Sequence, residues 1–124
     1  MDARQSLGKR GEDLACRELK RRGYTIVDRR FRTRCGELDI VAKEGNVVVF
    51  IEVKARSGCK FGAPVESLTW QKRRRISAMA EAYLFLKRLP GVACRFDVVS
   101  IFESHNGCTV ELIRGAFDLE SCHR

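Results

Sequence analysis

The stretch Gly36 to Arg56, GELDIVAKEGNVVVFIEVKAR, decides how this chain folds. Two runs rich in β-branched residues flank Gly45 and Asn46, which reads as a β-hairpin. With Gly45-Asn46 as the two-residue loop, glycine first as a type II′ turn wants, Glu44 faces Val47. Asp39 then falls opposite Glu52, and Glu37 opposite Lys54. Shifting the loop to Glu44-Gly45 keeps these four charged residues on one face, with Asp39 diagonal to Glu52; only a change of parity scatters them. The opposite face carries Leu38, Ile40 and Ala42 beside Val47, Val49, Ile51, Val53 and Ala55, a full hydrophobic surface. The charged face also holds Val41, Val48 and Phe50, and concentrates its charge at one end.

Two carboxylates set opposite each other on paired strands repel. Their placement makes sense if a divalent cation lies between them. Hard oxygen ligands suit Mg²⁺ or Mn²⁺, and Mg²⁺ typically takes one or two carboxylates plus water and substrate phosphate. Lys54 projects from the same face as Glu52, where it could orient or deprotonate an attacking water and offset charge on a pentacovalent phosphate. That set describes metal-assisted phosphodiester hydrolysis. The alternative is an exposed hairpin face with a Glu37–Lys54 ion pair.

Working outward, Ser6 to Arg22 is helical, with Gly8, Glu12, Ala15, Cys16 and Leu19 on one stripe and Gly23 as its stop. Glu12 is out of place there, because a carboxylate facing a core is costly unless paired or metal-bound. Tyr24 to Arg34 precedes the hairpin as a first strand; Glu37 to Lys43 and Val47 to Arg56 are the next two. Ser57 to Glu66, SGCKFGAPVE, is a loop, which could close over a ligand with Arg56 on a phosphate or serve as a passive crossover. A second helix is expected over Leu68 to Leu89, N-capped by Ser67 and stopped by Pro90-Gly91. On it Lys72 shares a stripe with Leu68, Ile76, Met79 and Tyr83, either as a functional group or snorkelling. Ala93 to Phe102 and Thr109 to Ile113 form a last hairpin around SHNG. The order α-β-β-β-α-β-β predicts one α/β domain over residues 1–124, a mixed sheet covered by helices.

Net charge is +8, from 24 Lys+Arg against 16 Asp+Glu, which suits a polyanion, nucleic acid first and an anionic membrane surface second. With 32% of residues charged and no apolar run near the roughly 18 residues that span a bilayer, no membrane segment is expected. The charged N-terminus lacks a signal-peptide pattern, so a cytoplasmic location is the default expectation. Six cysteines without a CxxC or a Cys/His cluster argue for reduced, mostly buried thiols and against zinc. His105 and His123 are expected at the surface. In WQKRRR the bases Lys72, Arg73 and Arg75 could neutralise phosphates, while Trp70 either stacks on a base or covers the helix end. Asp97 fits an internal ion pair with an arginine better than a metal.

The arrangement of Glu12, Asp39 and Glu52-Val53-Lys54 resembles the PD-(D/E)xK, or restriction-endonuclease-like, superfamily. More closely, the chain is similar to the YraN family of small bacterial endonuclease-like proteins, related to archaeal Holliday-junction resolvases. GKRGEDLA, GYTIVDRRFRTRCGELDIVA, VVVFIEVKAR, FGAPVESLTWQKRRRI, RFDVVSI and IRGAF carry the resemblance over nearly the whole chain. It implies a restriction-endonuclease-like sheet and metal ligands at Asp39, Glu52 and the Val53 carbonyl. It also implies a catalytic Lys54, a supporting Glu12 acting on the metal or its water, and Lys72 near the scissile phosphate or the acidic cluster. Arg30 departs from the family, which often has Asn there, and adds charge near the DNA surface.

The leading expectation is a Mg²⁺- or Mn²⁺-dependent endonuclease acting on DNA, including branched or structured DNA. The alternative is a nucleic-acid-binding protein of this fold without significant cleavage; a basic module that binds a protein partner is a third. A homodimer would present two sites to the symmetric strands of a junction.

Overall fold

The computed structural model describes residues 3–57 and 69–117, with side chains described from residue 9 onward. The elements are α1 (Ala3–Arg21), β1 (Thr25–Thr33), β2 (Gly36–Glu44), β3 (Val47–Ser57), α2 (Trp70–Leu86), β4 (Cys94–Ser104) and β5 (Gly107–Phe117). They follow the expected α-β-β-β-α-β-β order. The strands form one sheet in the order β1-β2-β3-β4-β5. All neighbours are antiparallel except β3 and β4, which run parallel on either side of the α2 crossover. No helix among the described residues is long and apolar enough to cross a membrane.

Each face of the sheet has its own core. Ala15, Cys16 and Leu19 of α1 pack on Tyr24, Ile40, Ala42, Val49, Ile51, Val99 and Ile101. Ile76, Met79, Ala80 and Tyr83 of α2 pack on Leu38, Val41, Val48, Phe50, Phe96 and Val98. Helix α1 approaches β3 closely because Gly11 has no side chain: a Cβ there would lie 3.1 Å from Ala55 Cβ. That contact sits one residue beyond Lys54 on the strand and one before Glu12 on the helix.

The central hairpin has the expected register. Glu44 pairs with Val47, and the ladder runs to Ile40 opposite Ile51. Gly45 takes φ +61° and Asn46 does not, the pattern of a type II′ turn. The expected core face fails at one position, since Leu38 lies in the α2 core while Ile40 lies in the α1 core. The cause is a reversal at Arg30, where φ is +53°. Arg29 reaches Glu12 and Asp13 of α1, whereas Phe31, two residues on, stacks edge-to-face on Tyr83 of α2. In a regular strand the two would share a face. Pairing of Arg29 with Ile40 and Phe31 with Leu38 carries the reversal into β2 around Asp39.

Helix α2 is shorter than expected. Its N-cap is Thr69, whose hydroxyl accepts from the Lys72 N–H at 3.2 Å; Ser67 and Leu68 lie outside the described residues, as does most of the 57–66 loop. It ends three residues before Leu89. Arg88 N–H donates to Phe85 O and Leu89 N–H to Leu84 O, a Schellman motif with Arg88 at the left-handed position, φ +56°. Gly23 does the same job at the end of α1, with φ +98° and Tyr24 N–H on Leu19 O.

Among the described residues four cysteines are free, and they are not mostly buried as expected: Cys16 is buried and Cys94 half-buried, but Cys35, on the β1–β2 turn, and Cys108, at the start of β5, are exposed. Cys59, Cys122 and His123 lie outside the described residues, and His105 is exposed. Asp97, expected in an ion pair, is fully buried and held by Arg95 at 2.9 Å, Tyr24 at 2.7 Å and the Gly115 N–H at 2.9 Å.

Candidate active site

The β2–β3 ladder stops at Ile40–Ile51, just before Asp39 and Glu52 would meet. The strands part there, and Asp39 turns into the gap. Its Oδ2 accepts the Val53 N–H at 2.9 Å, so the side chain takes up a donor that strand pairing leaves unused. A pocket of about 210 Å³ opens beside it, lined by Asp39, Glu52, Glu37, Lys72, Arg75 and Met79, with Cys35 and Gly36 at its edge. The two carboxylates predicted to act together therefore face one cavity.

Burial, and then the charge of Glu52, push the Asp39 carboxyl up to about 7; Glu12 and Glu37 add to the rise, while the Val53 N–H opposes it. Lys54 Nζ lies 3.5 Å from Glu52 Oε2. On the pocket wall, the neighbouring Lys54 and burial lower the Lys72 ammonium below its usual range. Carboxylates that repel each other on one side and ammonium groups that crowd each other on the other suit a divalent cation bridged to a phosphate.

Among the described residues, no three His, Cys, Asp or Glu side chains converge as a ready-made ion cage. Asp39, Glu52 and a main-chain carbonyl at Val53 nevertheless fit Mg²⁺ or Mn²⁺, which keep several waters and need few protein ligands. Glu12 is not in the pocket lining. Its carboxylate is paired with Arg30 at 3.0 Å and Arg29 at 3.3 Å, which resolves its position on an apolar stripe by pairing. Arg30, expected to face DNA, pairs with Glu12 while its side chain stays 54% exposed. Glu37 pairs with Arg32 at 3.6 Å rather than with Lys54, because the reversal at Asp39 takes it out of register.

Of the expected phosphate contacts, Lys72 and Arg75 line the pocket, Arg73 lies over the Phe117 ring at 5.7 Å, and Arg56 follows Lys54 on β3. Cys35 and Met79 were not anticipated as pocket residues; no local sequence signal marks either. A larger apolar groove of about 490 Å³, lined by Leu84, Phe85, Leu89 and Pro90, lies at the far end of α2 and holds none of these groups.

The profile of the Uncharacterised protein family UPF0102 matches residues 11–101. The chain belongs to the UPF0102 family. A UPF0102 protein of Desulforapulum autotrophicum is 44% identical over 117 residues, 94% of this chain and 97% of that protein. Another, from Desulfosudis oleivorans, is 46% identical over 118 residues, 95% and 94% of the two chains. A third, from Syntrophus aciditrophicus, is 43% identical over 112 residues, 90% and 88%. UPF0102 is the YraN family that the motifs resemble, a family of the PD-(D/E)xK-like nuclease type. The UPF0102 match contains Glu12, Asp39, Glu52, Lys54 and Lys72, and the relatives extend over both terminal elements.

Proposed function

We propose that this protein is a Mg²⁺- or Mn²⁺-dependent endonuclease that hydrolyses DNA phosphodiester bonds. The observation that carries this reading is the convergence of Asp39 and Glu52 on one pocket at the point where β2 and β3 part, with Lys54 and Lys72 against them. Asp39, Glu52 and the Val53 carbonyl would hold a divalent cation, and such a cation would supply Lewis acidity and a more acidic water. Lys54 orients the attacking water, whose proton passes to solvent, and its ammonium, paired with Glu52, offsets charge on the pentacovalent phosphate. The water oxygen forms a new bond to phosphorus as one ester P–O bond breaks, and the departing alkoxide takes a proton from solvent. Lys72 and Arg75 hold the phosphate, and the net charge of +8 attracts the polyanion.

The pairing of Glu12 with two arginines favours a second reading, a DNA-binding protein whose acidic site is partly self-neutralised and does not cut. Incubation of linear, flapped and four-way-junction DNA with Mg²⁺ or Mn²⁺ separates the two, using wild type, Asp39→Asn and Lys54→Ala. Cleavage by wild type alone supports the nuclease. Binding by all three proteins, with no cutting that the variants lack, supports the second reading.

A further inference from the structure

Trp70, the only tryptophan of the chain, is 60% exposed at the first position of α2. A tryptophan that merely covered a helix end would bury its ring. This ring instead carries the Arg74 guanidinium 4.7 Å from its centroid, one helical turn on. Helical spacing sets Trp70 and Arg74 on one side of the helix and Lys72, Arg75, Ile76 and Met79 on the other. The second group lines the pocket that holds Asp39 and Glu52. Pocket and indole are thus about one helix diameter apart, on the order of 10 Å, a span of only a few nucleotides. Four consecutive cations, Lys72 to Arg75, lie between and around them, and the first turn has no acidic residue.

The other exposed large apolar residues lack this setting. Phe85 and Leu86 lie at the opposite end of α2 and Val27 lies on β1, away from the pocket.

We propose that Trp70, backed by Arg74, is a stacking platform for one unpaired nucleobase, and that it selects DNA with a single-stranded segment a few nucleotides from the scissile phosphate. A base has an open face for stacking only when it is out of the duplex. Indole–base stacking is tolerant of sequence, and the arginine beneath the ring adds a cation–π contribution. The strand then runs with one phosphate in the pocket, its neighbours along Lys72 to Arg75, and a base on Trp70. This assignment rests on the nuclease reading for its placement of the scissile phosphate, but its binding test does not require cleavage.

The experiment titrates the full-length protein, in EDTA, against a labelled oligothymidylate and a blunt duplex of equal length, following DNA anisotropy and the emission of Trp70. Oligothymidylate should quench the tryptophan. Trp70→Ala should weaken oligothymidylate binding roughly 5- to 150-fold while changing duplex affinity less than about twofold, within the usual effect of a surface substitution. Trp70→Phe should retain most of the affinity, which separates stacking from misfolding. Equal losses on both DNAs, or no loss on the single strand, overturn the platform. If wild type binds and quenches but never cleaves with Mg²⁺ or Mn²⁺, the platform stands and the nuclease reading falls; if wild type binds neither DNA, both fall.

Discussion

Replacing Asp39 with Asn should make the metal-free protein more stable, and increasingly so as pH rises. The Asp39 carboxyl is raised from 3.8 to about 7 by burial and by Glu52. Between those values the folded chain holds a proton that the unfolded chain has released. Wild-type stability therefore has its full value below about pH 4, declines as pH rises towards 7, and above that carries the whole cost of the buried charge. Such a shift corresponds to an upper bound of on the order of 4 kcal/mol; with half lost to solvent screening, about 2 kcal/mol remains. Asn keeps an acceptor for the Val53 N–H and can donate to Glu52, so it removes the charge while leaving the gap filled. Urea denaturation in EDTA should show the two proteins nearly equal at pH 4 and Asp39→Asn ahead by about 2 kcal/mol at pH 8. That difference is a rise of roughly 6–10 °C in Tm for a domain of this size. Saturating Mg²⁺ should narrow the gap by stabilising wild type alone. A gap independent of pH, or a variant less stable at pH 8, would refute the idea that these carboxylates strain each other.

Ser77 is fully buried in α2 with no hydrogen-bond partner for its hydroxyl, so Ser77→Ala should gain about 1 kcal/mol in chemical denaturation. Arg88 holds a left-handed conformation that costs a side chain about 1 kcal/mol, and Arg88→Gly should recover most of it as a higher Tm. Gly11→Val should cost about 2–3 kcal/mol, because its branches meet Ala55 and Ile101; far-UV dichroism would show a lower thermal midpoint with unchanged helix content. Arg30→Ala should leave Glu12 paired only with Arg29 and, if Glu12 supports the metal, raise Mn²⁺ affinity several-fold by calorimetry; an unchanged affinity would place Glu12 outside the metal's reach.

The hairpin was legible because glycine and the alternation of apolar residues constrain register at the turn end, and the pairing held as far as Ile40–Ile51. Beyond it, an unbroken period of two would be needed for the pairing to continue. Arg30 breaks that period without a glycine or proline to mark it, and so Leu38 was assigned to the wrong core and Glu37 to the wrong partner, although Glu37 still reaches the Asp39 and Glu52 pocket. Asp39 and Glu52 still came together, because both sit at the edge of the failure rather than past it. The two sequence readings of Trp70, base stacking or helix-end cover, could not be separated, since amphipathic character alone does not say which way a first-turn residue points; its ring is 60% exposed. Sequence spacing also carried no information on which cysteines reach solvent, since Cys35 sits on a turn and Cys108 at the solvent end of a strand pair.

The contact between Gly11 and Ala55 works as a gauge block. It sets the height of α1 over β3 beside Lys54, and with it how far the Glu12 carboxylate can extend toward the split strands. A helix held off by one methyl group would carry Glu12 away by a distance comparable to a metal–ligand bond. The smallest residue in the chain thus fixes how closely the helix that carries Glu12 rides on the strand that carries Lys54.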